Sequence, residues 1–144
     1  MFEALGVENM RTKEIDQRIV ALKTNRDSQK LELSRFEIFR NGSFKCFVSL
    51  DSRGFCLNKE MYFDNGIAFV EALEKMDQSL SGEAELKEDY QDHFLKFSMT
   101  PLGHLLVSGT FVEYSEHSQS LSFEFEADQT CLASFTSSLK NIIQ

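Results

Sequence analysis

The sequence predicts an α+β fold: antiparallel sheet in two pseudo-repeats, each of about four strands plus one helix. Three observations point to it. First, "SLSFEFEADQTCLASFTSSL" (120–139) changes period halfway. Leu121, Phe123, Phe125 and Ala127 alternate as in a strand, then Leu132, Phe135 and Leu139 recur at helical spacing. Second, the same change occurs near position 64, where "MYF" gives way to a stripe of Phe69, Leu73, Met76 and Leu80. Third, the two stripes superpose at a constant offset of 66: Phe69, Leu73 and Met76 match Phe135, Leu139 and Ile142. A sheet with one apolar face needs a cover, and an amphipathic helix closing each unit supplies it.

The elements follow in order. Residues 1–16 read as a loose arm, or as a short helix capped by Thr12. "QRIVALK" (17–23) is β-branched enough for a strand, and "TNRDSQ" after it is turn chemistry. In "KLELSRFEIF", Leu31 and Leu33 share one parity, while Phe36 and Ile38 share the other. Such a phase flip predicts a β-bulge near Ser34–Arg35. Asn41-Gly42 is the preferred type I′ hairpin pair. The return strand carries Phe44, Cys46, Val48 and Leu50 on one face. After "DSRG" comes "FCLNKEMYF", a fourth strand expected to be irregular in its middle. A helix is expected over about 64–81, capped by Asp64 and ended by Gly82. The second half repeats the pattern with "EAELKE", "HFLKFSM", "LLVSGTFVEY" and "LSFEFEAD". The third of these is apolar on both faces and predicted to be central. A helix over about 128–143 closes the chain, with Asp128 at its start.

The 144 residues suit one domain, 1–144, with a proper core, and 14 phenylalanines supply much of it. The N-terminus lacks the apolar stretch of a signal peptide, and the apolar runs are too short to span a bilayer. The expectation is a soluble, cytoplasmic protein. Cys46, Cys56 and Cys131 have no metal-ligand spacing, and Cys46 and Cys131 fall in phase with apolar neighbours, predicting burial as thiols.

Charge is asymmetric. Residues 1–60 hold 11 Lys/Arg and 9 Asp/Glu, whereas 61–144 hold 4 and 14. An acidic half repels nucleic acid and anionic lipid and attracts basic proteins. Two clusters carry this charge. One is Glu83, Glu85, Glu88, Asp89 and Asp92 against Lys87, with Tyr90 embedded. The other is Glu113, Glu116, Glu124 and Glu126, followed by Asp128, with Tyr114 beside it. Any one such residue is accounted for by solubility. Together they are candidate partner-binding residues, with Tyr90 and Tyr114 as aromatic anchors.

Catalytic patterns are missing from the sequence. It contains no Gly-rich phosphate loop, no G-x-S-x-G and no local zinc pair among His93, His104 and His117. The phenylalanines sit at buried parity, and the basic residues near 11–59 mix with acids, so no stacking platform on a basic stripe emerges. The reading is a non-enzymatic binding module that needs no cofactor and no metal.

The stretches "FKCFVSLDSRGF", "FVEALEKM", "PLGHLLVSGTF" and "LSFEFEADQTCLASFTSSL" resemble the WapI-like bacterial immunity family and its uncharacterised relatives, over residues 28–142. The four-strands-and-helix repeat also resembles the Whirly-type layout, which binds single-stranded DNA in plants. The immunity resemblance implies a protein that neutralises a cognate toxin by binding it. Toxins of that kind are often basic nucleases, which an acidic inhibitor suits. A nucleic-acid-binding domain and a structural subunit, such as a homodimer pairing Phe-rich sheets, are the alternative readings.

Overall fold

The computed structural model describes residues 15–24, 28–88 and 92–144. Two four-stranded antiparallel sheets alternate with two helices along the chain. The first sheet is β1 (Val20–Lys23), β2 (Gln29–Ile38), β3 (Phe44–Ser52) and β4 (Phe55–Phe63), followed by α1 (Gly66–Ser79). The second is β5 (Glu83–Lys87), β6 (Phe94–Met99), β7 (His104–Glu113) and β8 (Gln119–Asp128), followed by α2 (Thr130–Ile143). Each sheet is a simple meander, so its first and last strands are its edges.

The predicted pseudo-repeat is present, with one change in how it packs. Each helix ends its own unit but lies against the first strand of the other: α1 on β5, α2 on β1. The helices also pack on each other, and Lys140 reaches Glu74 at 2.8 Å between them. Phe97 of β6 is the centre of this interlock. Its ring meets Phe69 of α1 edge-on at 5.7 Å and Phe135 of α2 at 5.1 Å. Those two phenylalanines are the first pair in the offset register, so the repeat is used to clasp one side chain. All three are essentially fully buried.

Several local expectations hold. The β2–β3 register shifts between Ser34 and Glu37, and Arg35 takes φ 54°. That bulge turns Phe36 inward, where it is fully buried, while Ile38 at the strand's end stays 39% exposed. Asn41 and Gly42 both have positive φ, as a type I′ turn demands. Gly42 is also needed sterically: a Cβ there would fall 2.4 Å from Cγ1 of Ile67 on α1. Phe44, Cys46, Val48 and Leu50 all face the core. β7 lies between β6 and β8, but its second face, with Leu106 and Val112, is only half-buried.

Others are corrected. β1 begins at Val20, not at 17; upstream of it, among the described residues, an isolated bridge pairs Asp16 with Phe36. β4 is regular throughout, paired to β3 at every position. α1 begins at Gly66, because Asn65 rather than Asp64 precedes it and makes no side-chain cap. The Asn65 side chain is engaged elsewhere: Nδ2 donates to the Glu85 carbonyl at 2.7 Å, and Oδ1 accepts the Lys87 N–H at 2.9 Å. α1 ends at Ser79, with Leu80 in the left-handed conformation two residues before Gly82. α2 begins at Thr130 behind Gln129, not at 128; Asp128 ends β8, and its Oδ1 accepts the Thr130 N–H at 3.0 Å. Cys46 is buried, and burial pushes its thiol pKa far up, whereas Cys131 is only half-buried. The Thr12 cap, residues 25–27 of the turn at 24–29, and Asp89 and Tyr90 lie outside the described residues.

Candidate docking face

The outward residues of the second sheet are fixed by strand alternation, since Ala84, Leu86, Leu95, Phe97, Leu105, Val107, Phe125 and Ala127 point into the core. Register then sets the rows. Glu85 lies opposite Lys96, Lys96 opposite Ser108, and Ser108 opposite Glu124. One row along, Glu83 faces Ser98, Ser98 faces Leu106, and Leu106 faces Glu126. Glu83 and Glu85 of the first cluster and Glu124 and Glu126 of the second therefore share one face across roughly 14 Å, three strand spacings. Glu83 and Glu85 line one edge strand; Glu124, Glu126 and Asp128 line the other.

Only part of this charge is compensated. Lys96 Nζ reaches Glu83 at 3.1 Å, and Lys87 lies 3.7 Å from Glu85. His104 Nδ1 meets Glu126 at 2.8 Å. Glu124 has no ion-pair partner among the described residues. Exposed pairs such as these contribute at most about 1 kcal/mol each, so the face gains little stability from its carboxylates.

The remaining candidates sit apart. Glu113 has the inward parity of β7 and is bound by Lys59 of β4, which ties the two sheets together. Glu88, Asp92, Tyr114 and Glu116 gather at the end of the sheet where β5 turns to β6 and β7 turns to β8. There the Tyr114 hydroxyl donates to Asp92, and this bond holds the phenol's pKa above its usual value. Glu88 approaches His93 Nε2 at 3.5 Å, and that nitrogen also lies 3.1 Å from the Tyr62 carbonyl. Tyr114 is 58% exposed and open to a partner.

At the opposite end a cleft of about 720 Å³ separates β8 from the turns of the first sheet. Its walls include Arg53 and Thr24 on one side and His104, Glu124, Glu126 and Asp128 on the other. Carboxylates and an imidazole in a cleft invite a catalytic reading. The nucleophile it needs is lacking among these residues: Thr24 Oγ1 already donates to the Gln29 carbonyl at 2.5 Å, and the His104–Glu126 pair is more than half exposed. His117 is exposed in the β7–β8 turn. The described residues contain no group of three or more His, Cys, Asp or Glu placed to hold a metal ion. No helix among them is long and apolar enough to cross a membrane.

Sequence reasoning missed three features here. The Asn65 clasp on β5 was masked by the better capping residue beside it. The half-buried pair Leu121 and Phe123 at the start of β8 was read as plain core, although an edge strand has a neighbour on one side only to bury them. Arg53 enters the cleft only through the folding of the two sheets against each other.

Among solved structures, the fold is similar to a chain in the crystal structures of Trypanosoma bruciei MRP1/MRP2, at 10% identity and a TM-score of 0.52. The alignment covers 98% of this chain and 92% of that one. No curated protein matches the chain. The immunity protein WapI-like family matches residues 67–144, from the first turn of α1 to the last residue. That match takes in more than half of the sequence, including every described acidic residue of the candidate face, and the chain belongs to the WapI-like immunity protein family.

Proposed function

We propose that the protein is a cytoplasmic, non-enzymatic inhibitor that neutralises a cognate basic, nuclease-like toxin by covering it with the acidic face of its second sheet. The observation that carries this reading is the convergence of Glu83, Glu85, Glu124 and Glu126 on one sheet face by register. Family membership supplies the class of partner. Electrostatic complementarity steers encounter and suppresses wrong partners, and the partly unpaired carboxylates suit that role better than a structural one. Glu88, Asp92, Tyr114 and Glu116 extend the contact at the loop end, with Asp89 and Tyr90 between them in sequence. Glu113 contributes through its tie to Lys59, holding the sheet in place, rather than by contact.

The test is association kinetics with the cognate partner, identified first by a pull-down from the native host. Reversing Glu83, Glu85, Glu124 and Glu126 to Lys lowers the on-rate at low salt by about tenfold or more and flattens its salt dependence. An on-rate untouched by the quadruple reversal sinks the acidic-face reading. Silence in a fluorescence-anisotropy titration with single-stranded DNA at low salt is the companion expectation.

A further inference from the structure

A sheet edge exposes a row of unpaired N–H and C=O groups, and proteins block such rows or use them. The two sheets of the described residues have four edges. β1 lies under α2, and β5 lies under α1 with Asn65 bonded to its backbone at Glu85 and Lys87. The end of β4 is stopped by His93 against the Tyr62 carbonyl. β8, ten residues long, bonds β7 on one side, and its other side has no backbone partner among the described residues. Its backbone is open, it contains no proline, and its outward carboxylates Glu124, Glu126 and Asp128 are all exposed.

Its two faces differ in chemistry. On one side stand those carboxylates. On the other, Leu121 and Phe123 are only half-buried, and Phe123 stacks on Phe111 at 5.9 Å with the rings 4° from parallel. Gly109 under them leaves the space this stack occupies, since a Cβ there would fall 2.8 Å from the Phe123 ring. The edge thus offers an apolar ledge on one face and an acidic row on the other. A second copy of β8 would set like charges against each other. Residues 1–14 hold three acids against two bases, so they are no better matched.

We propose that β8 receives an extended segment of a basic partner as a fifth strand of the second sheet, with basic side chains alternating toward Glu124 and Glu126 and apolar ones toward Leu121 and Phe123. This rests on the acidic face being the docking face and specifies how the partner engages it. Main-chain bonds supply affinity and the alternating side chains supply specificity. The cleft beside Glu124–Gln129 leaves room for the segment along the second half of the strand.

The probe is a synthetic peptide of alternating lysine and valine, compared with the same alternation of glutamate and valine and with a lysine–valine peptide interrupted by prolines. Amide hydrogen exchange and NMR shifts are read on the full chain at low salt. The expected result is salt-sensitive binding of the uninterrupted basic peptide alone, with slowed exchange at alternate amides of Gln119–Phe125. The Glu124→Lys and Glu126→Lys double variant weakens binding by about tenfold, or about 1.4 kcal/mol. Equal binding of the prolinated peptide overturns the proposal, as does no binding, or protection at β4. Shifts at Glu83, Glu85 and Lys96 without β8 protection overturn strand addition while leaving the acidic docking face standing. β8 protection that rises with protein concentration in the absence of peptide assigns the edge to a second copy. Tighter peptide binding after deletion of residues 1–14 assigns it to the chain's own N-terminus. Either result overturns the proposal.

Discussion

The first sheet and the second share a plan but spend their surfaces differently. In β2–β4, acids and bases interleave: Lys45 lies within 4 Å of both Glu37 and Glu60. In β5–β8 all the acids but Glu113 collect on the two edge strands, and the lysines are confined to Lys87 on β5 and Lys96 on β6. The helices differ in the same way at their starts. α2 has buried Leu132 where α1, 66 positions earlier, has Gly66. The first sheet's β2–β3 turn occupies that space: a Cβ on Gly66 would fall 2.3 Å from the Gly42 carbonyl. A repeated scaffold can thus keep its core and diverge in what it presents. The first half is fitted to its neighbour, and the second is left open to solvent.

The core clasp should be the most sensitive point of the comparison. Phe97→Ala removes the ring that both helices grip and is expected to cost about 3–5 kcal/mol, read by urea unfolding. Leu31, 66 positions earlier on β2, is equally buried but carries no ring to stack between the helices. Leu31→Ala should cost less than Phe97→Ala. Equal losses would mean that the clasp is ordinary core. Gly66→Ala comes next, at about 1–3 kcal/mol from overpacking, because backbone rather than a flexible side chain opposes the new methyl. Ala at 66 with unchanged stability would show that the turn yields and that the fit between the halves is loose.

Charge reversals should separate stability from function. Glu124→Lys with Glu126→Lys is expected to change stability by no more than about 0.5 kcal/mol, while slowing association with a basic partner. Glu32→Lys on the first sheet should do neither. A similar slowing from Glu32→Lys would erase the distinction between the faces and reduce the effect to net charge.

Much of this was legible in the sequence because it rests on period. Alternation, β-branched content and apolar runs between turns placed eight strands, a phase flip at Ser34–Arg35 announced the bulge, and the offset of 66 announced the repeat. The two acidic clusters were also visible as charge. Their union on one face was not, since it depends on register across β6 and β7, which no local pattern encodes. Glu113 shows the limit from the other side: it belongs to its cluster by sequence, yet one step of strand parity turns it inward to Lys59. Asn65 shows another. Side-chain capping and clasping use the same residue types, and only the proximity of β5 decides which occurs.

The smallest predicted effects come from one tie in each half, and they have opposite signs in pH. Near the start of the first half, the Arg18 guanidinium hydrogen-bonds Asp16 and lowers its carboxyl pKa. A carboxyl lowered on folding stabilises above its unfolded pKa, and the contribution is lost as pH falls through the folded one. In the second half, the bond to Asp92 raises the Tyr114 phenol above its usual value near 10. A phenol raised on folding stabilises below that value, and the contribution is lost as pH climbs through the folded pKa, when tyrosinate meets carboxylate. Both sites are exposed, so neither change should unfold the protein. The Tyr114 titration should nevertheless appear as an alkaline step in tyrosinate absorbance that Tyr114→Phe removes and that Asp92→Asn shifts back toward the usual value. A step unmoved by Asp92→Asn would mean that the loops at that end are not joined, and the partner would then meet two independent loops rather than one braced surface.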